Sequence, residues 1–93
     1  MAFRVIFDRS AIEDLHDIFD YLVERSPKGA ENVLRDIRTS IDLVAAWPRL
    51  GKASRNRSSR LLITGKYRYR VLYEVGEDVV TIRQIVHSSR NLP

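Results

Sequence analysis

The sequence predicts an α+β fold in which a helical hairpin packs on a mostly antiparallel sheet of three or four strands. Three observations support this fold class. A short alternating segment begins the chain, two segments with helical periodicity follow, and three strand-like segments occupy the second half. The predicted order is β-α-α-β-β-β, with elements at residues 2–7, 11–25, 27–46, 61–64, 66–75 and 79–87. A chain of 93 residues encloses one modest core, so we expect a single domain over residues 1–93.

The first helix is predicted from its N-terminal signal and its apolar spacing. Ser10 and Glu13 have the spacing of a capping box, in which the hydroxyl accepts an early helix N–H and the glutamate reaches back. Apolar residues then recur every three or four positions, which predicts one buried side. This side is expected to comprise Ile12, Leu15, Phe19 and Leu22. His16 lies at its edge and is interpreted as a boundary residue.

The second helix is predicted to begin directly after the first. Ser26 is suited to the cap position and Pro27 to the first helical position, since proline lacks the N–H that would be unpaired there. The helix is expected to run to Ala46, where Trp47-Pro48 ends it. Its predicted buried side comprises Ala30, Val33, Leu34, Ile37, Ile41 and Val44.

The second half contains a basic loop at residues 48–60 and then the remaining strands. In the strand 66–75, the more apolar side is expected to face the helices: Tyr67, Tyr69, Val71, Tyr73 and Val75. The opposite side comprises Lys66, Arg68, Arg70, Leu72 and Glu74. Gly76-Glu77-Asp78 predicts a hairpin turn. Strict alternation in the last strand places Val80, Ile82 and Val86 on one face and Thr81, Arg83, Ile85 and His87 on the other.

Charge is distributed unequally along the chain. Residues 1–47 hold six cations and nine acids, a net charge of −3, whereas residues 48–93 hold ten cations and three acids, a net charge of +7. Thirteen of the sixteen cations are arginine, which binds carboxylate and phosphate in a planar, bidentate manner. The asymmetry predicts an anionic partner, although a basic surface can also serve solubility alone.

Several classes of site are disfavoured. The chain has no cysteine, which excludes disulfides and thiolate chemistry and fits a reducing cytoplasm. Its two histidines have no carboxylate cluster at ligand spacing, so no metal site is expected, and four isolated glycines make no phosphate-binding loop. Apolar runs are about five residues long, which is too short to span a membrane. The N-terminus lacks the arrangement of a signal peptide.

The candidate functional residues lie on the predicted sheet. Arg68 and Arg70 are expected to share a strand face about 7 Å apart. His87 and Arg90 lie at the end of the last strand, where the tail could bring them beside these arginines in a cluster that grips phosphate or carboxylate groups. Alternatively, the two strand arginines pair with Glu74 and the loop acids, or solvate the sheet face. For Tyr67, Tyr69 and Tyr73, a place in the core is favoured over base stacking.

The element order and several motifs resemble the ParE branch of the ParE/RelE toxin superfamily over nearly the whole chain. The matching segments are Glu24-Arg25-Ser26-Pro27, Ala46-Trp47-Pro48-Arg49-Leu50-Gly51, Gly65-Lys66-Tyr67-Arg68-Tyr69-Arg70-Val71-Leu72-Tyr73-Glu74-Val75 and Ile85-Val86-His87-Ser88-Ser89-Arg90. The family usually ends in His-Gly-x-Arg, and Ser88 here replaces the glycine.

The resemblance implies a RelE/ParE-like fold and a bacterial, cytoplasmic toxin of a type II toxin–antitoxin system, linked to plasmid or chromosome stabilisation. Such a toxin is neutralised by a cognate ParD-like antitoxin, needs no cofactor or metal, and inhibits DNA gyrase by binding. The expected target-binding residues are Lys66, Arg68, Arg70, His87 and Arg90, and no catalytic residue is expected.

A RelE-like alternative has the same fold but cleaves mRNA on the ribosome, with Arg70 and Arg90 matching catalytic arginines of that branch. The C-terminal tyrosine of those enzymes has no counterpart after Tyr73, and arginine is a poor general base, so binding is favoured. A plain nucleic-acid-binding module is a third hypothesis, suggested by the +7 half.

Overall fold

A computed structural model of the chain describes residues 2–55 and 58–87. The predicted α+β architecture is confirmed, with one additional short strand. The helices are α1, Arg9–Val23, and α2, Pro27–Ala46. The strands are β1 (Arg4–Phe7), β2 (Lys52–Ala53), β3 (Ser59–Ile63), β4 (Tyr69–Val75) and β5 (Val79–His87).

The strands form one sheet in the order β1-β5-β4-β3-β2. β1 runs parallel to β5, and the other neighbouring strands of the described sheet are antiparallel. The fifth strand corrects the prediction that residues 48–60 form only a loop, because β2 pairs with Arg60 and Leu61 of β3. Two residues are too few to produce an alternating pattern, so the sequence offered no signal for this strand.

The core lies between the helices and one face of the sheet. Tyr69, Val71 and Tyr73 of β4 are buried there, which confirms the predicted direction of this strand face. Tyr73 is completely buried, and its hydroxyl donates to the Pro48 carbonyl at 2.7 Å and accepts the Gly51 N–H at 2.8 Å. The loop after α2 is thereby fastened to the middle of the sheet.

α2 forms as the sequence predicts. The Ser26 hydroxyl accepts the Gly29 N–H at 3.0 Å, Pro27 is in the first turn, and the helix ends at Ala46. Most of the predicted apolar side is buried, namely Ala30, Val33, Ile37, Ile41 and Val44. The local signals and the tertiary packing agree along this helix.

α1 differs from its prediction in the side that it buries. Ala11 is buried, and the side chains packed against the core are Leu15, Ile18 and Leu22. Ile12 and Phe19 remain 45% and 40% exposed, so their assignment to the buried side was wrong. The helical spacing allowed both choices, and contact with β5 selected the side containing Ala11 and Ile18.

The predicted capping box of α1 does not form. The cap residue is Asp8, whose side chain makes no capping bond, and Ser10 lies inside the first turn. The Ser10 hydroxyl instead donates to the Arg83 carbonyl of β5 at 2.8 Å. One turn later, the Asp14 carboxylate accepts the Ile85 N–H at 2.9 Å. Both side chains therefore attach α1 to β5.

A β-bulge explains these bonds and corrects the predicted faces of β5. Tyr73 pairs with Ile82 and Leu72 pairs with Gln84, so Arg83 is an extra residue in β5. An extra residue interrupts the alternation of side chains and leaves backbone groups unpaired in the ladder. Beyond the bulge, Ile85 turns into the core, opposite to its prediction, and Val86 turns away from it.

Neither α1 nor α2, nor any other helix within residues 2–55 and 58–87, combines the length and apolar character needed to cross a membrane.

Candidate functional site

The sheet face directed away from the helices carries Arg70 at a central position. Arg70 lies opposite Ile63 of β3 and Val86 of β5. The neighbouring row on the same face consists of Leu61, Leu72 and Gln84. We call this surface the outer face. Its centre is a guanidinium group surrounded by aliphatic side chains.

The side chain of Arg70 is only partly exposed. Its Nε atom is buried and has no hydrogen-bond partner among the described residues. No ion pair to Arg70 is found within residues 2–55 and 58–87 either. A buried donor without an acceptor is unfavourable by about 1–3 kcal/mol. An acceptor supplied by another molecule would relieve this cost.

Charges further along β4 and β5 from Arg70 compensate one another. Arg83 contacts the Asp8 carboxylate at 3.1 Å and the Glu74 carboxylate at 3.5 Å. Glu74 is therefore paired with Arg83, and the pairing of Glu74 with Arg70 that one alternative interpretation proposed is not found among the described residues.

The turn between β3 and β4 carries Lys66, Tyr67 and Arg68. The Thr64 N–H donates to the Tyr69 carbonyl at 2.8 Å, which closes the turn and delays the start of β4 to Tyr69. Arg68 has a φ of 58°, in the left-handed region. The prediction that Arg68 and Arg70 share a strand face is thus wrong, because Arg68 precedes the strand. Tyr67 is 38% exposed in this turn, and its predicted place in the core is also wrong.

A carboxylate from α2 holds this turn. Asp36 accepts the Tyr67 N–H at 2.8 Å and the Lys66 N–H at 3.3 Å. Burial alone would raise the pKa of Asp36, but the bonds from Tyr67, Thr64 and Lys66 outweigh it and hold the pKa below its ordinary value. Spacing along the sequence carries no signal for this contact, which joins residues 30 positions apart.

His87 lies on the opposite face of the sheet from Arg70. It pairs with Tyr69 across β4 and β5, and the two rings meet edge to face with centroids 5.0 Å apart. Adjacent residues of a strand point to opposite faces, so Tyr69 and Arg70 point apart. The structure therefore does not bring His87 together with Arg70, and the bulge at Arg83 is the physical reason. Arg90 lies outside the described residues.

A second surface was not predicted from the sequence. An apolar groove of about 350 Å³ runs beside the edge strand β1, between this strand and the two helices. It is lined by Val5, Phe7, Leu15, Leu34, Ile37, Arg38, Ile41 and Asp42. These residues come from three elements, so no single periodicity could reveal the groove. We call it the β1 groove.

Within residues 2–55 and 58–87, no group of three or more histidine, aspartate or glutamate side chains has the arrangement of a metal site.

Comparison with known proteins places these features in a family. Residues 5–92 match the family model described as the ParE toxin of the type II toxin–antitoxin system parDE. The chain belongs to the ParE toxin family. It is the toxin component of a type II toxin–antitoxin system of the ParE/RelE superfamily.

Two related sequences span nearly the full length of the toxin. The Y4kP protein of Sinorhizobium fredii (strain NBRC 101917 / NGR234) is 28% identical over 90 residues, which cover 97% of this chain and 93% of that protein. Toxin RelE2 of Caulobacter vibrioides is 29% identical over 87 residues, which cover 94% and 97% of the two chains. The toxin thus matches the ParE family model and is also similar to a protein named after the RelE branch.

Solved structures share the fold of the toxin. A chain of the chromosomal ParDE system of P. aeruginosa superposes with a TM-score of 0.77 at 20% identity, covering 92% of the toxin and 96% of that chain. A chain of the RelBE2 toxin–antitoxin complex of Mycobacterium tuberculosis gives 0.67 at 23% identity, with 94% and 99% covered. A chain of the intact E. coli RelBE complex gives 0.68 at 17% identity, with 96% and 100% covered. At these identities the likeness concerns the fold alone.

Proposed function

We propose that the toxin inhibits DNA gyrase by binding it through the outer face and the adjoining β3–β4 turn, without catalysing a reaction. The observation that carries this proposal is the position of Arg70, half-buried among aliphatic side chains with an Nε donor that has no partner among the described residues. A guanidinium in such a setting binds a planar anion well, since it stays charged and offers parallel donors. A carboxylate on the surface of the target fits this requirement.

The surroundings of Arg70 support binding more than RNA cleavage. Cleavage requires a group that removes the proton from a 2′-hydroxyl, and an arginine, whose pKa is above about 12, is unsuited to that role. His87, the histidine of the basic half, lies on the opposite sheet face beside Tyr69. The described residues therefore separate the imidazole from Arg70. Ribosome-dependent mRNA cleavage through Arg70 and Arg90 remains the second candidate, favoured by the similarity to Toxin RelE2.

We further propose that a cognate ParD-like antitoxin neutralises the toxin and covers the β1 groove. The structural relatives include toxin–antitoxin complexes, which supports an antitoxin as the partner. An antitoxin segment with apolar side chains would bury Phe7 and Leu34, which the toxin alone leaves partly exposed. The proposed site of action is the bacterial cytoplasm.

The target is tested by a supercoiling assay with purified gyrase. The matched pair of variants is Arg70→Ala and Arg25→Ala, because Arg25 is an exposed arginine just after α1 whose contacts with Tyr21 are local. We expect the wild type and Arg25→Ala to inhibit supercoiling and Arg70→Ala to lose inhibition. If the wild-type toxin leaves purified gyrase unaffected, gyrase is refuted as the target. In-frame cuts mapped in transcripts after induction would support ribosome-dependent mRNA cleavage instead.

The antitoxin surface is tested by a second matched pair, Leu34→Gln in the β1 groove and Leu43→Gln, an exposed leucine on the same helix. Loss of a central apolar contact should weaken antitoxin binding by about tenfold or more. Leu43→Gln should bind as the wild type does. Equal affinities of both variants in calorimetric titration would exclude the groove as the docking site.

A further inference from the structure

The turn between β3 and β4 holds a basic residue in a strained conformation. Arg68 has a φ of 58°, which residues with a Cβ atom adopt only when their surroundings impose it. Glycine adopts this conformation readily, but the chain has its glycine at position 65 of the same turn, where φ is not positive. The conformation of Arg68 therefore depends on the contacts that hold this turn.

One set of these contacts comes from a carboxylate on α2. The two oxygens of Asp36 accept the N–H groups of Lys66 and Tyr67, at 3.3 and 2.8 Å. Asp36 lies on a helix packed against the core, with the buried Ile37 next to it. The turn is thus attached to a rigid element.

Thr64 extends the attachment to the first residue of β4. Its hydroxyl bonds to the Asp36 carboxylate and accepts the Tyr69 N–H at 3.0 Å. Thr64 is only 1% exposed, so this hydroxyl is shielded from water. Asp36 and Thr64 together fix both ends of the segment that carries Lys66 and Arg68.

We propose that Asp36 and Thr64 are positioning residues that hold Lys66 and Arg68 in a preformed, basic contact loop for the target. This inference rests on the proposed function, because it assumes that the loop adjoining the outer face touches the target. A preformed loop loses little conformational freedom on binding, which favours affinity. Asp36 acts indirectly in this proposal: its carboxylate accepts the backbone N–H groups of Lys66 and Tyr67 and does not itself contact the target.

The first test measures the loop itself. Backbone amide exchange by NMR compares the wild type, Asp36→Asn, Asp36→Ala and the control Asp20→Asn, which removes an exposed acid of α1. We expect the Lys66 and Tyr67 amides to exchange faster in Asp36→Ala, with a smaller change in Asp36→Asn, which keeps one acceptor oxygen. Unchanged exchange in Asp36→Ala would overturn the inference.

The second test measures function with two separate readouts, growth arrest on induction and antitoxin affinity. Asp36→Ala removes the carboxylate that accepts the loop N–H groups, so it should raise the toxin level needed for growth arrest by about tenfold. Thr64→Val should also raise this level. Lys66→Ala and Arg68→Ala should match this loss, and Asp20→Asn should behave as the wild type. Antitoxin affinity of Asp36→Asn should stay near the wild-type value and its thermal midpoint should fall only slightly, whereas a general loss of structure would reduce both strongly.

The outcomes separate this inference from the gyrase proposal. If Asp36→Ala and Arg68→Ala both lose growth arrest while wild-type toxin leaves purified gyrase unaffected, the loop is a contact surface for another target. If Asp36→Ala arrests growth at wild-type levels although its loop amides exchange faster, the positioning role is refuted.

Discussion

Replacement of Gly51 by alanine tests how closely the loop after α2 is packed on the sheet. A Cβ atom at this position would lie 2.6 Å from the Tyr73 hydroxyl oxygen and 2.8 Å from the Leu61 carbonyl oxygen. Tyr73 is completely buried, so its ring has little room to move away. The φ of Gly51 is not positive, and alanine could adopt its backbone conformation. The expected destabilisation is therefore steric.

The magnitude follows from two contributions. Overpacking a buried site reduces the free energy of unfolding by about 1–3 kcal/mol. Displacement of the Tyr73 hydroxyl also weakens its bonds to Gly51 and Pro48, each worth about 1 kcal/mol. We expect a total loss of about 3 kcal/mol, a large part of the roughly 5–15 kcal/mol that stabilises a typical domain.

The assay is equilibrium unfolding in urea, followed by circular dichroism. With a slope of about 1–2 kcal/mol/M, the loss lowers the midpoint by about 1.5–3 M. Gly65→Ala is the matched control, because nothing lies within 4 Å of an added Cβ there, and it should leave the midpoint unchanged or slightly higher. A midpoint for Gly51→Ala within about 0.3 M of the wild type would show that the loop yields freely and that the packing argument is wrong.

Three further predictions concern side-chain contacts. Ser26→Ala should destabilise the toxin by about 1 kcal/mol through loss of the α2 cap. Ser26→Asp, which keeps a capping oxygen, should be close to wild type in the same urea assay. Equal urea midpoints of Ser26→Ala and the wild type would contradict the capping role. Asp14→Ala should lower the free energy of unfolding by about 1.5–3 kcal/mol, because it leaves the N–H of the buried Ile85 unpaired, and an unchanged midpoint would show that water replaces the carboxylate. The pKa of Asp36 in the folded toxin lies below its unfolded value of 3.8. The Asp36 carboxylate therefore stabilises the folded state fully above pH 3.8, and this stabilisation is lost as pH falls through the folded pKa. Acid titrations of the wild type and Asp36→Asn should therefore converge in this range, and parallel curves would refute the effect.

The sequence predicted correctly those features that depend on residues within one helix, one strand or one turn. α2 begins at Pro27 and ends at Ala46 as predicted, because its cap and its terminating residues lie within the helix or next to it. The buried face of β4 was also predicted correctly, since alternation of Tyr69, Val71 and Tyr73 needs no knowledge of the neighbouring strands. The hairpin between β4 and β5 belongs to the same group.

Predictions that depended on contacts between distant residues were less successful. The buried side of α1 was misassigned because two overlapping apolar sets fit one helical period, and only β5 distinguishes them. The bulge at Arg83 reversed the faces of Ile85 and His87, and a bulge has no pattern within a single strand. For the same reason, the sequence grouped His87 with Arg70, and the structure places them on opposite faces of the sheet.

The amino-acid sequence by itself determined the order of the elements other than β2, the helical hairpin and the family, because these depend on periodicity, caps and motifs along the chain. Tertiary structure alone decided which charges meet. It paired Arg83 with Glu74 and Asp8, left the Nε of Arg70 unpaired among the described residues, and brought Asp36 under the loop of Lys66 and Arg68. The physical reason is that hydrogen bonds and ion pairs act over a few ångströms, and the register of the sheet and the packing of the helices set those distances.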